Sequence, residues 1–401
     1  MRVFNHFLIS ALVFVFCLSC SQQDFNNIAK NKINEFLQEH PYISTTYKID
    51  IDSDVLAEGA VGYYDRETSQ LLQENQQMPI ASGTKQMTAA LILKLQEQGI
   101  LTLSDTIVKF IPENSEYWPE SGMPEWAKEI TIHNLLTHTS GIAEYIPLLS
   151  IDIDKSHEEI NKQISHYAAQ TPLSNIPGQK YSYSNTGYFY LGIILESIHK
   201  KELATIFDEE LFKPLGMTNS RMANLEETLK FQKGEIQGYP KRYFGIPASD
   251  KPSIIPANVD FFVVPFSDGG VLSTVTDLVI WNRAFHNGDV VSDYSYKLMT
   301  TPYYEVKDPF RENVRIGYGV YITELSNGNK VYYHSGNAVG IRSEHGYIPD
   351  AKIYFAMLSN VMPYETDDIK GKVDYRKSEN QFDIIFFKKL ILGLADYKLK
   401  N

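Results

Sequence analysis

Segments with the pattern of β-strands lie near both ends of this 401-residue chain, with helical segments between them. Near the start, Tyr47, Ile49 and Ile51 alternate with polar residues, the period of a half-buried strand. In the last third, four strand-like runs surround the turn signals Asn327-Gly328 and Pro349-Asp350. We therefore predict an α/β fold of the α+β type, with one antiparallel sheet assembled from both chain ends. The four runs are 320–324, 330–334, 343–348 and 352–358.

Apolar residues spaced three or four apart predict five main helices. The terminal ones should cover the sheet, and a mainly helical lobe (about 111–259) should be inserted into a sheet lobe (about 40–110 and 260–401). The active site is expected between the lobes. Residues 221–260 and 361–380 are interpreted as surface excursions. The predicted helices are 27–38, 84–98 (ended by Gly99), 185–200, 203–212 (ending before Pro214) and 381–394.

The charge balance argues against a nucleic-acid partner. Lys and Arg number 37 against 49 Asp and Glu, which gives a net charge of −12 with His neutral. The phosphate backbone would repel that charge, and no run of Lys or Arg provides a local exception.

The first 19 residues are predicted to be a signal peptide, followed by a single domain over 20–401. Arg2 provides the positive start, and 7–17 form an apolar run that is too short to span a membrane. The sequence Cys17-Leu18-Ser19-Cys20 is similar to a bacterial lipobox, so Cys20 is a candidate for lipidation; an ordinary secretory signal is the alternative. We expect an exported protein whose only membrane contact is a lipid anchor, facing the periplasm or the cell exterior. Because both cysteines lie here, the mature chain can form no internal disulfide.

The first candidate catalytic element is Ser82-Gly83-Thr84-Lys85, at the start of an apolar helix. A serine hydroxyl needs a base within hydrogen-bond reach, and side chains three apart on a helix can meet. The free N–H groups of a helix start suit an oxyanion, and burial can lower the pKa of a lysine enough for it to accept a proton. A second S-x-x-K, Ser197 to Lys200, closes a helix instead and is interpreted as C-terminal capping.

Two further elements follow along the chain. Tyr183-Ser184-Asn185 opens another helix, where a phenol that relays protons and an amide that donates and accepts can face one cleft. Capping of that helix by Ser184 or Asn185 is the alternative interpretation. His334-Ser335-Gly336 ends a strand-like run, and its glycine would let a substrate backbone lie against the strand. The similar His286-Asn287-Gly288 is interpreted as a helix end and turn.

In this order the three elements resemble the serine β-lactamase and penicillin-recognising family. The similarity is to its branch of class C β-lactamases, D,D-carboxypeptidases and esterases, with S-x-x-K, then Y-x-N, then K-T-G or H-x-G. It covers roughly residues 40 to 360 and implies the β-lactamase/D,D-peptidase fold. Further similar stretches are 130–142, 177–192, 211–217 and 269–281.

The resemblance implies a role for each matching residue. Ser82 attacks a carbonyl carbon and becomes acylated, while Lys85 and Tyr183 share the proton transfers, with the main base left open. Asn185 orients Lys85 and the substrate amide.

The resemblance also assigns His334, Ser335, Gly336 and Asn337 to substrate binding, with the backbone N–H groups of Ser82 and Asn337 as the oxyanion hole. His334 stands where Lys is common. An ordinary histidine is mostly neutral at pH 7, so a substrate carboxylate is held less firmly and β-lactam hydrolysis is expected to be weak. Arg342 either supplies the missing charge or is a surface residue.

The sequence therefore predicts an extracytoplasmic serine hydrolase that acts through an acyl-enzyme on a small-molecule or peptide substrate. Candidate substrates are a D-amino-acyl peptide, a small ester or, weakly, a β-lactam, and no cofactor is expected. The alternative is a weakly active or inactive protein of this fold that serves as a sensor or binding module. A metal-dependent hydrolase is disfavoured, because His133 and His138 lack a third ligand and are interpreted as structural histidines.

Overall fold

The structure is a computed structural model, and it describes the chain in separate ranges. These are 27–28, 31–39, 44–146, 155–224, 243–246, 253–256, 266–307, 313–324, 328–338, 340–363, 391 and 393–395, with the backbone alone at 243–246, 253–256 and 362–363. The predicted signal peptide and Cys20 lie outside the described residues, as do most of the two predicted excursions and of the helix at 381–394. Within the described ranges, no helix has the length and apolar character needed to cross a membrane.

Eight strands, drawn from both ends of the chain, form one antiparallel sheet. In spatial order they are β10 (Tyr304–Glu305), β11 (Arg315–Ile316), β12 (Tyr321–Glu324), β13 (Lys330–Ala338), β14 (Ile341–Ile348), β15 (Ile353–Ser359), β1 (Thr45–Ile51) and β2 (Asp54–Val61). β1 pairs with β15 from Thr45 opposite Ser359 to Ile51 opposite Ile353. The predicted sheet and both predicted strand pairs are confirmed.

Small sheets position the segments around the main one. β5 (Met78–Pro79), β9 (Val271–Ser273) and β6 (Arg221–Met222) lie side by side, β3 (Tyr63–Asp65) pairs with β4 (Gln70–Leu71), and β16 (Val361–Pro363), β7 (Tyr243–Ile246) and β8 (Ser253–Pro256) form a third sheet. The helices are α1 (Thr84–Glu97), α2 (Ile132–Leu136), α3 (His157–Gln170), α4 (Asn185–His199), α5 (Leu203–Phe207), α6 (Lys213–Leu215), α7 (Val275–Asn287) and α8 (Asp293–Met299), with a terminal helical segment at 31–39.

The predicted half-burial of β1 is wrong, because every residue of this strand is buried. β1 is an inner strand, and its charged side chains are paired rather than solvated. Lys48 forms ion pairs with Glu58 and Asp50, and Asp50 also pairs with Arg283 of α7 at 2.9 Å. A strand covered on both faces keeps an alternating sequence only when its charges find partners.

Apolar side chains pack against both faces of the sheet. The larger cluster fills the space between the sheet and helices α1, α4 and α7. A smaller cluster on the other face joins Ile33 and Phe36 of the segment 31–39 to Ile49 and Phe355 of the sheet, with Leu394 from the C-terminal end. The expectation that both chain ends cover this face is therefore confirmed for the described residues.

The helix after α4 continues further than predicted. It runs through α5, a π-helical turn at Asp208–Phe212 and then α6, which contains Pro214. Proline normally ends a helix because it lacks an N–H and clashes with the preceding turn. Here Pro214 lies in the first turn of α6, directly after the π-helical turn has altered the hydrogen-bond pattern, so the helix passes through it.

Candidate active site

Ser82 lies in a short 3₁₀ turn, Ala81–Gly83, that leads directly into α1. The start of this turn is joined to β9, because the Ile80 N–H donates to the Val271 carbonyl of that strand at 2.9 Å. Ala81 has a φ of +44°, a left-handed conformation that costs a residue with a Cβ about 1–3 kcal/mol. Ser82 itself is half-buried.

Lys85 lies one helical turn after Ser82 and is completely buried. Its Nζ is 3.1 Å from Ser82 Oγ, 2.7 Å from Asn185 Oδ1 and 2.6 Å from the backbone carbonyl oxygen of Asp268. Burial lowers the pKa of the Lys85 ammonium to about 8, and the carboxylates of Asp268 and Glu144 oppose that shift. The amine form is therefore accessible near neutral pH.

Tyr183 hydrogen-bonds to Ser82 through their side chains. Its ring centroid is 5.0 Å from Lys85 Nζ, and the ring stacks on His138 with 4.4 Å between centroids. Burial raises the pKa of the Tyr183 phenol well above its ordinary value, so the residue stays a neutral phenol over the physiological range.

Asn185 is the first residue of α4, and Ser184 before it is the N-cap, accepting from the Gly187 N–H at 2.9 Å. The capping interpretation thus applies to Ser184, while the side chain of Asn185 turns to Lys85. Its backbone N–H and its Nδ2 both donate to Glu144 Oε2, at 2.8 and 3.2 Å. The first two sequence elements, Ser82–Lys85 and Tyr183–Asn185, therefore converge on one point.

Sequence reasoning gave four residues around Lys85 no part in the site: it interpreted His138 as a structural histidine and did not single out Glu144, Tyr145 or Asp268. His138 accepts from the Ser184 N–H at 3.1 Å, and burial lowers its pKa to about 3. Tyr145 donates to Asp268 Oδ2 at 2.8 Å, and burial raises the pKa of the Asp268 carboxyl to about 6. Each lies inside or within three residues of a family-like stretch, at 130–142 or 269–281, but nothing in the local sequence distinguishes it from a capping or core residue.

The strand β13 forms the third side of the site. β12 pairs with β13 only from Lys330 to Tyr333, so among the described residues its second half pairs with β14 alone. His334 and Gly336 face the helices, like their partners His345 and Ser343 across the strand pair. Because side chains alternate, those of Ser335 and Asn337 lie on the opposite face, and their contribution to this side of the sheet is backbone only.

Gly336 has a different purpose from the one predicted. A Cβ at this position would lie 2.0 Å from the carbonyl oxygen of Ile80 and 2.4 Å from Ser343 Oγ. On this face of the strand, the space that a Cβ would fill is taken by the carbonyl group of Ile80, in the turn before Ser82, and is not available to a substrate. The glycine lets β13 approach that turn closely, which sets the distance between the backbone of Ser82 and that of Asn337.

His334 is completely buried, and its Nδ1 lies 2.7 Å from the Ser335 carbonyl oxygen. A carbonyl only accepts, so Nδ1 carries the hydrogen and Nε2 is an acceptor. Burial, helped by the charge of Lys85, lowers the pKa of His334 well below its ordinary value, which keeps the ring neutral.

The interpretation of Arg342 as a surface residue is wrong, since this residue is 1% exposed. Because side chains alternate along β14, Arg342 lies on the sheet face opposite His334.

The two similar motifs that were interpreted as helix ends, Ser197–Lys200 and His286–Gly288, lie away from this cluster. Ser197 donates to the Phe110 carbonyl at 2.8 Å and Lys200 is the left-handed C-cap of α4, while Gly288 caps α7 after His286. His133 hydrogen-bonds to the Tyr318 hydroxyl at 2.7 Å. In the part of the chain that the structure describes, no three His, Cys, Asp or Glu residues are grouped to hold a metal.

Comparison with known proteins places this geometry in a family. Residues 32–377 match the family described as Beta-lactamase. The chain belongs to the beta-lactamase family. Its sequence is 26% identical over 293 residues to penicillin-binding protein 4* of Bacillus subtilis (72% of this chain, 61% of that protein). It is 27% identical over 203 residues to esterase EstB of Burkholderia gladioli (48% of this chain, 50% of that protein). The chain thus spans less than two thirds of either relative.

Solved structures agree with this fold. The octameric penicillin-binding protein homologue from Pyrococcus abyssi superposes with a TM-score of 0.68 at 25% identity, covering 92% of this chain and 77% of that one. The D-amino acid amidase from Ochrobactrum anthropi SV3 superposes with a TM-score of 0.70 at 19% identity, covering 93% and 98%. The predicted β-lactamase/D,D-peptidase-like fold is confirmed.

Proposed function

We propose that this protein is a serine hydrolase that cleaves an amide or ester through an acyl-enzyme on Ser82. The observation that carries the proposal is the set of hydrogen bonds around Lys85. Asn185 Oδ1 and the Asp268 carbonyl can only accept, so they take two hydrogens from Nζ. When Lys85 is an amine, those are its only two hydrogens, and its lone pair faces Ser82 Oγ at 3.1 Å. This favours Lys85 over Tyr183 as the base for acylation.

In the proposed first step, the Ser82 hydroxyl gives its proton to Lys85 while Oγ bonds to the substrate carbonyl carbon. The backbone N–H groups of Ser82 and Asn337 stabilise the oxyanion, and the proton passes by way of Tyr183 to the amine or alkoxide that leaves. Water then adds to the acyl ester and gives a proton back to Ser82 as the bond to Oγ breaks, which releases the acid.

The test is covalent labelling of Ser82 with a fluorophosphonate, followed by intact-protein and peptide mass spectrometry. We expect one adduct per chain on Ser82, and none on a Ser82→Ala variant. A folded protein that takes up no probe at Ser82 would contradict the hydrolase and favour the binding-module alternative.

The substrate class we propose is a neutral acyl amide or ester, such as a D-amino-acyl amide or a small ester, rather than a compound that needs a carboxylate anchor. The support is the neutral, buried ring of His334, where a lysine would provide a charge. Penicillin-binding proteins, an esterase and a D-amino acid amidase are among the similar proteins, which fits either leaving group.

His334 yields a prediction about pH. Because its pKa lies well below the ordinary value, the ring should gain no charge between pH 8 and pH 5.5. The ratio of kcat/KM for an amide-capped peptide to that for the same peptide with a free carboxylate should therefore stay constant over this range. A several-fold shift towards the carboxylate substrate at pH 5.5 would mean that His334 protonates and binds it.

We also propose that the protein is exported and anchored through a lipid on Cys20. The support is the order of the first twenty residues, with a positive start, an apolar run and a small residue before the cysteine. Incorporation of radioactive palmitate that persists in a Cys20→Ser variant would refute the anchor.

A further inference from the structure

Two consecutive residues, Glu144 and Tyr145, each support one of the two fixed acceptors of Lys85. They lie in the loop after α2. Tyr145 is 1% exposed and Glu144 is half-buried. Their hydrogen bonds to Asn185 and Asp268 connect them to Lys85 indirectly, so any effect they have on its orientation passes through those two residues.

Glu144 determines which end of the Asn185 amide faces Lys85. An ionised carboxylate only accepts, so the hydrogen bond at 3.2 Å from Asn185 to Glu144 Oε2 must come from Nδ2. The other end of the amide, Oδ1, is then directed at Lys85 Nζ at 2.7 Å. A rotated amide would present two hydrogens to the lysine and compete with its donors.

Tyr145 holds the second acceptor in place. Its hydroxyl donates to Asp268 Oδ2 at 2.8 Å, and the backbone carbonyl of the same aspartate accepts from Lys85 at 2.6 Å. The backbone N–H of Tyr145 donates to Thr186 Oγ1 at 3.0 Å, which ties this loop to the first turn of α4. The side chain thus fixes the peptide that receives the second hydrogen of the lysine.

We propose that Glu144 and Tyr145 are positioning residues for the base step, which together fix Asn185 Oδ1 and the Asp268 carbonyl so that the lone pair of Lys85 points at Ser82. This inference rests on the proposed function. If the two hydrogens of the lysine amine could bond to other acceptors, the lone pair would point at Ser82 in only a fraction of the molecules. Misplacement of a reacting group by about 1 Å can lower a rate roughly 10²-fold.

Glu144 also affects the protonation of Lys85 through its charge, and this effect is opposite in sign to its effect on positioning. Removing the Glu144 carboxylate removes a charge that raises the pKa of Lys85, so the amine should form at lower pH. Loss of positioning should lower the maximal rate. The other titratable or aromatic groups around Lys85 are Asp268, Tyr183, Tyr188, His138 and His334; burial keeps the two histidines neutral and the two phenols protonated near pH 7.

The experiment is the rate of fluorophosphonate labelling of Ser82 in the full chain, followed by intact-protein mass spectrometry from pH 5.5 to 9.5. Tyr145→Phe removes one O–H and keeps the ring. It should lower the plateau rate roughly 10–10²-fold. Glu144→Ala should lower the plateau similarly and shift the rise in rate to lower pH. Glu144→Gln, which keeps an acceptor oxygen but no charge, should shift the rise while retaining most of the plateau.

Tyr190→Phe is the matched control, because it removes a buried phenol of α4 that hydrogen-bonds to Ser165 of α3 at 2.9 Å, away from Lys85. It should cost similar stability by thermal unfolding and leave the labelling rate unchanged. A plateau rate in Tyr145→Phe that matches the wild type, together with an unmoved pH profile in Glu144→Gln, would overturn the inference. Failure of the wild type to label would instead refute the proposed function. If Glu144→Ala does not fold, the Phe and Gln variants decide.

Discussion

Replacement of Lys85 by methionine is expected to lower the rate of Ser82 acylation roughly 10⁴-fold, the upper range for the loss of a general base. Methionine fills much of the buried space of the lysine stem but cannot take a proton. In the wild type, the rate should rise with pH through about 8, where Lys85 becomes an amine, and then level off. The residual rate of the variant should lack this rise. Fluorophosphonate labelling across pH measures both.

The chain contains its own control for this prediction. Lys200 ends the second S-x-x-K sequence at the exposed C-cap of α4, and Lys200→Met should leave the labelling rate unchanged. Lys85→Arg keeps a charge but holds its proton at every accessible pH, so it should be as slow as the methionine variant. A methionine variant that keeps a tenth of the wild-type rate would show that Tyr183, not Lys85, is the main base.

Gly336→Ala is expected to lower kcat roughly 10²–10³-fold, the usual loss for one oxyanion donor. The new Cβ would lie 2.0 Å from the Ile80 carbonyl oxygen, a contact with backbone that no side-chain rotation relieves. The turn at 80–82 must therefore move away from β13. This separates the backbone N–H of Ser82 from that of Asn337, the pair that would hold the oxyanion. Overpacking of this kind also costs about 1–3 kcal/mol of stability.

Esterase kinetics on a short-chain p-nitrophenyl ester, with thermal unfolding of the same samples, test this second prediction. Gly393→Ala is the control, because among the residues that the structure describes no heavy atom outside its own helix and neighbours lies within 4 Å of the added Cβ. It should be fully active. A Gly336→Ala protein with wild-type kcat would mean that the close approach of β13 to Ile80 has no part in catalysis.

Much of the fold was predictable because its signals are local. Periodicity predicted the helix that starts at Thr84 and the two strand pairs β12–β13 and β14–β15. Glycine, which readily adopts a positive φ, predicted the turns at Gly288 and Gly328. The failures involve neighbours distant in sequence. β1 looked half-buried because its partner for Asp50 is Arg283, 233 positions away. Helix 203–215 passes Pro214 because of a π-helical turn that no pattern predicts.

The candidate site divides in the same way. The sequence by itself determined Ser82, Lys85, Tyr183 and Asn185, since their spacing and their places at helix starts are written locally and the family pattern links them. It also determined that no disulfide can form within residues 21–401, because both cysteines, Cys17 and Cys20, precede them.

Only the tertiary structure decided what surrounds Lys85. Asp268 is 183 residues away and supplies a backbone carbonyl, a group that every residue carries, so no sequence signal marks it. The neutrality of His334 and the face on which Arg342 lies also depend on burial and strand register, which arise when distant segments pack together. The sequence gives the identity of each residue, but the exposure of its side chain to solvent, its charge state and its hydrogen-bond partners depend on the fold.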